Sequence, residues 1–261
     1  MAAGLNPAFD STLLSRAEDA GLNASAPPQQ RWLDGWLIRF SPGKAKRARC
    51  VNALAAGRLP VADKLTAVAR VYADAGLPLI LRITPFTLQP KLDEVLDARG
   101  LRRFDDTRVM VLGALPQPAA PLPAGMSIRP IGLDAFAQRV GVFRGSSLAQ
   151  RQAHAERLLS APVPFFAFEL SADREPIACG QFAIEGDLVG LYDVYTTEAA
   201  RGRGCATLLC WHLLAHAHER GARYAYLEVE GDNDAARAVY RRLGFADAYA
   251  YHYRTPDPSA A

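Results

Sequence analysis

The most informative stretch of the sequence spans residues 189–220 and reads VGLYDVYTTEAARGRGCATLLCWHLLAHAHER. Its first seven residues are a strand candidate, and residues 196–204 form a loop with two glycines. Gly221 stands where a helix commonly ends on a left-handed residue. Between the loop and Gly221, residues 205–220 are predicted to form a helix. Apolar residues at spacings of three and four define one face of it: Ala206, Leu209, Leu213 and Ala217.

The loop before this helix has the composition of an anion-binding site. Gly202 and Gly204 let the backbone turn sharply and approach a ligand closely. The first turn of a helix carries N–H groups without intrahelical partners, and the helix dipole makes that end positive. Arg201 and Arg203 add charge, so phosphate oxygens fit here. The spacing is neither that of a P-loop nor that of a dinucleotide fingerprint, and an exposed basic turn is the alternative.

The residues around this stretch continue an α/β pattern. Residues 224–229 alternate as a strand does, Asn233 and its acidic neighbours can cap a short helix that ends at Gly244, and residues 248–254 alternate like a final strand. The order strand, loop, helix, strand, helix, strand predicts at least one parallel crossover. Upstream strand candidates occupy residues 126–130, 165–170 and 177–184.

The short helix carries a candidate proton donor. It places Ala236 and Tyr240 one turn apart on one face, with Asn233 at its beginning. A small residue lets a ligand pass close to the helix, and the Tyr240 phenol can donate a proton. The alternatives are a buried aromatic side chain for Tyr240 and a simple N-cap for Asn233.

A proline-rich segment divides the chain. Residues 115–125 read LPQPAAPLPAG, which suits an extended linker and not a regular helix or a central strand. It separates residues 1–114 from residues 126–261, and each part has an ordinary domain size. The first part repeats the pattern of the second in degraded form, which predicts an internal duplication with matching elements at residues 63–75, 79–83, 92–98 and 108–112.

These segments resemble a known family. Residues 194–206 are similar to the acyl-CoA-binding segment of the GNAT superfamily of N-acyltransferases, whose pattern is Arg/Gln-x-x-Gly-x-Gly/Ala, with the fixed positions filled by Arg201, Gly204 and Ala206. Residues 233–245 are similar to the motif that follows it. Residues 33–47 resemble part of a degenerate first copy found in tandem members. The resemblance implies an α/β fold of two GNAT-like domains, each a mixed, mostly antiparallel sheet with flanking helices.

The resemblance also implies roles for single residues. The backbone of Val194 and Tyr195 would pair with the pantetheine arm of acyl-CoA as an added strand does, and Asn233 would bind that arm further along. Tyr240 would protonate the leaving thiolate, which needs only modest help because a free thiol has a pKa of about 8.5. The pyrophosphate would be held by the loop and the first helical turn: Arg201, Gly202, Arg203, Gly204, Cys205, Ala206 and Thr207.

A general base is harder to assign from the sequence. An amine with a pKa of about 10 must lose a proton before it attacks a thioester. Glu228 lies on the strand before the short helix, and Asp193 lies on the strand before the glycine-containing loop. Either can reach the cleft directly or through water. Glu185 and Asp187 stay open as further candidates, and a salt-bridged or solvated carboxylate is the alternative for each.

The first half lacks the residues of this chemistry. It contains no Arg-x-x-Gly-x-Gly/Ala segment before its long helix, and Leu96 falls where Tyr240 stands in the second half. We therefore expect only the second half to bind acyl-CoA. The first half would cover the cleft, shape the acceptor site or form an interface. Its basic run is a solvated face or a contact for an anionic substrate or nucleic acid, and comprises Lys44, Lys46, Arg47 and Arg49.

Composition narrows the class of protein. The chain of 261 residues has a formal net charge of +3, which is too small for a dedicated nucleic-acid binder. Its apolar runs fall far short of the roughly 20 residues that span a bilayer, and charged residues near its start replace the apolar block of a signal peptide. The cysteines show neither a CxxC pair nor metal-ligand spacing. We expect a cytoplasmic protein with reduced thiols, without a metal or a membrane partner.

The leading hypothesis is an N-acetyltransferase that moves an acetyl group from acetyl-CoA, its co-substrate, to an amine. Attack would be direct, in a ternary complex, because no Cys/His or Ser/His pair indicates a covalent acyl-enzyme. A non-catalytic acyl-CoA sensor or scaffold is the alternative. The acceptor, a small-molecule amine or a protein amine, and the oligomeric state, monomer or homodimer, stay open.

Overall fold

The computed structural model describes residues 4–41, 45–115 and 121–260. The strands in these ranges are β1 (Gln29–Leu33), β2 (Trp36–Phe40), β3 (Val51–Ala53), β4 (Leu81–Ile83), β5 (Arg102–Leu112), β6 (Met126–Ile131), β7 (Phe165–Ala172), β8 (Glu175–Glu185), β9 (Leu188–Thr196), β10 (Tyr224–Glu230) and β11 (Ala246–Thr255). The helices are α1 (Ser11–Ala24), α2 (Val61–Asp74), α3 (Leu92–Ala98), α4 (Leu133–Phe143), α5 (Leu148–Leu159), α6 (Cys205–Glu219) and α7 (Asp234–Arg242). Within the described ranges, none of these helices has the length and apolar character that crossing a membrane requires.

The elements predicted from the sequence are present. The long helix predicted over residues 205–220 is α6, and the next glycine, Gly221, has a φ of 96° in the left-handed region. Most other bounds agree within two residues, although β5 begins at Arg102 and not at residue 108. The proline-rich segment lies partly outside the described residues, because these omit residues 116–120. The linker and the domain boundaries therefore stay predictions.

The two halves repeat one order of elements but share one sheet. The order β1-β2-β3-α2-β4-α3-β5 in the first half matches β7-β8-β9-α6-β10-α7-β11 in the second. All the described strands join in the order β1-β2-β3-β4-β11-β5-β10-β9-β8-β7-β6. Neighbours are antiparallel except β3–β4 and β9–β10, which are parallel. The predicted mixed, mostly antiparallel architecture with flanking helices is confirmed.

The last strand of each half completes the sheet of the other half. β11 pairs with β4, where His252 lies opposite Ile83, and β5 pairs with β10, where Val109 lies opposite Glu228. β5 and β11 also pair with each other at the centre of the sheet. The sequence does not predict this exchange, because β5 and β11 hold equivalent positions in the repeat. The residue pattern of each strand is compatible with pairing to β4 and with pairing to β10.

Helices cover both faces of the sheet. Alternate residues of β5 show this: Val109 and Val111 pack in the cluster that contains α1, whereas Met110 and Leu112 pack in the cluster that contains α6. The helices α4 and α5 lie on the face of α1, and α7 packs on the face of α6. The C-terminal end of α1 and the N-terminus of α6 therefore approach the centre of the second half from opposite faces.

A buried ion pair ties α1 to the exchanged strands. Arg82 on β4 pairs with Glu18 on α1, and the Tyr249 hydroxyl of β11 donates to Glu18 Oε2 at 2.8 Å. The Arg82 guanidinium also lies over the Tyr251 ring, 3.9 Å from its centroid. Burial raises the pKa of Glu18, but the charge and hydrogen bonds of Arg82 outweigh burial and hold it below its ordinary value. The first half and the last strand of the chain thus share one buried charge cluster.

Candidate active site

The loop before α6 folds into an open turn. Gly202 and Gly204 have φ angles of 73° and 78°, and Gly204 is the N-cap of α6. A Cβ atom at either position would meet no protein atom within 4 Å. The backbone conformation therefore requires glycine, and the space in front of the turn is open. The amides of the first helical turn, from Cys205 to Thr207, point along the helix axis toward this space, so the turn has the features of an anion site.

The strands β9 and β10 diverge beside this turn. Their parallel pairing ends at Leu191 opposite Leu227, although β9 continues to Thr196. A bulge between β8 and β9 accompanies a φ of 51° at Asp193. Val194 packs its side chain against the core around α6. Within the described sheet, the edge of β9 that faces β10 therefore has no partner strand beyond Leu191, whereas the other edge stays paired with β8. A free edge of this kind is what a strand-like ligand needs for binding.

Asp193 stands at the bulge among three polar side chains. It accepts hydrogen bonds from Arg144 at 2.8 Å and from Gln181 at 2.9 Å. His154 Nε2 lies 3.2 Å from its Oδ2, at an angle outside hydrogen-bond geometry. Burial raises the pKa of Asp193, but its contacts with His154 and Arg144 outweigh burial and hold it well below its ordinary value. Asp193 is therefore ionised and ion-paired.

Glu228 on β10 is paired with a residue of the first half. Arg47 contacts its Oε1, and the Tyr251 hydroxyl donates to its Oε2 at 2.7 Å. Lys46 likewise pairs with Asp105 at 2.8 Å. The basic run of the first half is therefore partly turned inward and is not a uniformly solvated face. Its first lysine, at position 44, lies outside the described residues.

The two candidate carboxylates line one cavity between the halves. This cavity has a volume of about 270 Å³, and its walls include Asp193, Glu228, Arg47 and Arg157. A second cavity of about 250 Å³ adjoins it at Asp193 and Arg157 and is lined mainly by α4 and α5. Residues 45–47 of the first half belong to the wall of the first cavity. The first half thus contributes part of the wall of this cavity. Its role as a cover of the cleft stays a prediction.

Tyr240 lies on α7 beside the core of the second half. Its ring packs edge-on against Phe245, with centroids 6.1 Å apart. Burial and the neighbouring Cys210 raise its pKa, so the phenol stays protonated at neutral pH and can donate a proton. The charges of Arg144 and Asp193 also act on Tyr240. The phenol therefore lies within the electrostatic range of the Asp193 cluster.

Two other predicted residues contact the protein itself. Asn233 accepts a hydrogen bond from the Ala236 amide at 3.1 Å, so its side-chain oxygen serves as the N-cap of α7. Arg201 lies across the end of β9, where its Nη2 donates to the Tyr195 hydroxyl at 3.3 Å. Arg203 is exposed.

Glu185 and Asp187 lie at the wrong end of β9 for this cavity. Glu185 accepts a hydrogen bond from Asn23 at 3.1 Å, and Asp187 pairs with Arg16. Both residues precede the first residue of β9, whereas the cavity lies further along this strand, at Tyr192 and Asp193. Their position does not support a role as general base there.

In the first half, a carboxylate occupies the position that corresponds to the open turn before α6. The Asp34 carboxylate accepts the backbone amides of Arg58 at 2.9 Å and Leu59 at 2.8 Å, just before α2, and Lys64 Nζ lies 3.0 Å away. These amides, followed by Lys64, lower the pKa of Asp34 to about 2. Leu96, which matches Tyr240, is fully buried in the core. An internal carboxylate thus takes the amides that a phosphate would need.

The sequence analysis did not single out the partners of Asp193. Arg144 directly follows the last residue of α4 and His154 lies in α5. One local signal was available. Ser147 and Gln150 form a capping box at the start of α5, and this would have placed His154 and Arg157 on successive turns of one helix. Their approach to Asp193 depends on tertiary packing.

Comparison with known proteins agrees with this architecture. The model of the acetyltransferase (GNAT) family matches residues 137–245. A mycothiol acetyltransferase of Gordonia bronchialis is 31% identical over 240 residues, covering 87% of this chain and 70% of that protein. An uncharacterized N-acetyltransferase of Bacillus subtilis, YobR, is 24% identical over 242 residues, covering 86% and 91%. A streptothricin acetyltransferase of Streptomyces lavendulae is 32% identical over 82 residues, covering 31% and 43%.

Solved structures share the fold. A GCN5-related N-acetyltransferase from Kribbella flavida superposes with a TM-score of 0.70 at 20% identity, covering 93% of this chain and 95% of that one. A tandem GNAT protein from the clavulanic acid biosynthesis pathway superposes with a TM-score of 0.57 at 18% identity, covering 75% and 70%.

The fold and the relatives together define an N-acetyltransferase. The chain belongs to the acetyltransferase (GNAT) family, and the resemblance seen in its sequence is confirmed.

Proposed function

We propose that this enzyme transfers the acetyl group of acetyl-CoA to the amine of a small molecule, and that only its second half binds acetyl-CoA. One observation carries the proposal: the cavity lined by Asp193 and Glu228 lies where β9 and β10 diverge, and the open turn before α6 contacts the end of the same strand β9. A thioester lying along β9 would have its phosphates at the turn and its acetyl group at the cavity.

The residues of the second half fit acetyl-CoA. The free edge of β9 at Val194 and Tyr195 would pair with the amides of the pantetheine arm. The amides of residues 202–207 would hold the pyrophosphate, with the two loop arginines adding charge. Cys205 is buried and would contribute its amide and not its thiol. Asn233 would contact the arm through its side-chain nitrogen, because its oxygen caps α7.

Direct attack by the amine fits the state of the cysteines. All four are free and buried, and burial raises the pKa of Cys179 and Cys210 to about 12. These thiols are therefore poor nucleophiles at neutral pH. Tyr240 would donate a proton to the leaving thiolate: burial raises its pKa, which keeps the phenol protonated at neutral pH but also makes it a weaker acid, so its help to the thiolate would be modest. Free, buried thiols also agree with a reducing cytoplasm.

Of the two carboxylates, we propose that Glu228 is the general base that accepts the proton of the amine. Asp193 is a poor base, because its contacts with His154 and Arg144 hold its pKa well below the ordinary value. It would instead keep Arg144 and His154 in place beside the cavity. Glu228 lines the same cavity and would take the proton directly or through water.

A small-molecule acceptor suits the site. The first half closes part of the cavity, whose volume of about 270 Å³ is at the lower end of ligand sites. Two relatives carry the names of small-molecule acceptors, mycothiol and streptothricin. We propose neither molecule as the acceptor of this enzyme, because acceptor specificity depends on the residues that line the cavity and not on the fold.

Calorimetric titration of the purified protein with acetyl-CoA and with free CoA tests the proposal. We expect one site per chain, followed by release of free thiol when amines are added. Two sites would show that the first half binds acetyl-CoA despite its internal carboxylate. An absence of binding to both ligands would refute the proposed donor.

A further inference from the structure

Most charges around the two adjoining cavities are already paired. Lys46 pairs with Asp105, Arg47 with Glu228, and Arg144 with Asp193, as the distances and contacts above show. The Arg47–Glu228 pair joins the first half to β10, the Arg144–Asp193 pair joins the end of α4 to β9, and the Lys46–Asp105 pair lies within the first half. They neutralise one another, so none of them is available to bind a charged acceptor without the loss of an existing ion pair.

Arg157 is the cation left over. It lies in the last turn of α5 and belongs to the walls of both cavities. Its Nη1 donates to the Ala24 carbonyl at 3.2 Å, at the end of α1. Among the described residues, no carboxylate forms an ion pair with it. The charges of Asp193 and Arg47 act on Arg157, so it stands close to the reacting region.

Arg157 is partly buried and has no carboxylate partner among the described residues, which is unfavourable because withdrawing its charge from water is costly unless an anion compensates. Burial here lowers the pKa of Arg157 below its ordinary value, which shows that the charge is destabilised. One neutral carbonyl compensates only part of that cost. A second buried arginine, Arg39, donates to Ser25, but it does not belong to the walls of these cavities. Of the arginines in the walls of these cavities, Arg157 is the one without an ion-pair partner among the described residues, so a ligand can bind it without breaking an existing ion pair.

We propose that the acceptor carries a carboxylate or a similar anionic group beside its amine, and that Arg157 binds this group. The proposal rests on the proposed function, since it names the acceptor class of the same site. A guanidinium presents a planar fork of donors that matches a carboxylate through two hydrogen bonds. With the anion on Arg157, the amine would reach toward Asp193 and Glu228 along the shared cavity. Amino acids and short peptides have this chemistry.

Matched pairs of acceptors test the proposal. The common amino acids and dipeptides are compared with their C-terminal amides, and kcat/KM is measured by release of the CoA thiol. The wild type should prefer the carboxylates. Arg157→Gln should lower kcat/KM for them by about 10- to 100-fold, the size of a charge-assisted contact, and change it less than twofold for the amides. Arg157→Lys should restore part of the preference, because it keeps the charge.

Controls separate this inference from the proposed function and from misfolding. Arg99→Gln removes an exposed arginine outside the cavities and should leave both acceptor series unchanged. Acetyl-CoA affinity and thermal stability are measured for each variant. If Arg157→Gln is too unstable, product inhibition of the wild type by N-acetyl amino acids and by their amides is compared, and the carboxylates should inhibit more strongly.

Several outcomes would overturn the inference. These are equal kcat/KM for carboxylates and amides, equal losses for both in Arg157→Gln, equal inhibition by both products, and failure of the wild type to acetylate every carboxylate-bearing amine while it still binds acetyl-CoA. If the wild-type protein does not bind acetyl-CoA, the proposed function itself is refuted.

Discussion

Two glycines at opposite ends of α6 provide a matched test of the acetyl-CoA site. Gly204 precedes the helix with a φ of 78°, and Gly221 follows it with a φ of 96°. A Cβ atom at either position meets open space, so valine at each adds the same backbone strain without a collision. That strain costs about 1–2 kcal/mol, which lowers the melting temperature by roughly 2–8 °C for a chain of this size.

The two variants should differ only in binding. Gly204→Val places its side chain in the space that the pyrophosphate would fill and turns the first amides away. Loss of two hydrogen bonds to a charged group, each worth about 1.5–3 kcal/mol, weakens acetyl-CoA at least about 100-fold. Gly221→Val should bind with the affinity of the wild type. Calorimetry and thermal unfolding measure both quantities. Wild-type affinity in Gly204→Val, or an equal loss in Gly221→Val, would refute the assignment of the phosphate loop.

Four further substitutions test other parts of the site and fold. Tyr240→Phe should lower kcat about 100-fold with little change in acetyl-CoA affinity, and an unaltered kcat would remove its role as proton donor. Glu228→Gln should lower kcat by a similar factor and also lower thermal stability, because it leaves Arg47 unpaired, whereas Asp193→Asn should lower thermal stability by leaving Arg144 unpaired, without a comparable loss of kcat; the reverse pattern in kcat would exchange the two roles. Glu18→Gln leaves the buried Arg82 guanidinium without its partner and should lower the free energy of unfolding by about 3–5 kcal/mol, as urea denaturation would show. Because the folded pKa of Glu18 lies below its ordinary value of 4.5, its contribution is complete above that pH and is lost as the pH falls toward the folded value; a mutational loss that stays constant through this acidic range would contradict it.

The exchange of strands has a consequence for how the halves fold. β5 belongs to the first half by sequence but pairs with β10, and β11 belongs to the second half but pairs with β4. Each half expressed alone would therefore lack a neighbour for its own strands and expose an unpaired edge. The repeat is visible in the sequence, but the sheet is a property of the whole chain.

Local patterns were sufficient for most elements of the fold. The limits of α6 follow from the spacing of its apolar residues and from glycines at both ends. The loop that we assign to the phosphates was also recognisable, because its glycines, arginines and first helical turn are contiguous in the chain. Tyr240 and Asn233 could be singled out for the same reason, since a short helix fixes their spacing. In each case the physical cause acts over fewer than about five residues.

What the tertiary structure decided is which distant groups meet. Glu228 was a candidate base by its position on a strand, and only the fold pairs it with Arg47, 181 residues away in the sequence. Asp34 lies in the segment that resembles part of a degenerate first copy, and only the fold shows that it accepts the backbone amides of Arg58 and Leu59. Ion pairs of this kind carry no periodic signal, because any carboxylate can satisfy any cation within about 4 Å. The sequence by itself therefore determined the repeated elements and the candidate acetyl-CoA loop, whereas long-range packing determined the strand exchange, the cavity between the halves and the ion pairs in its walls.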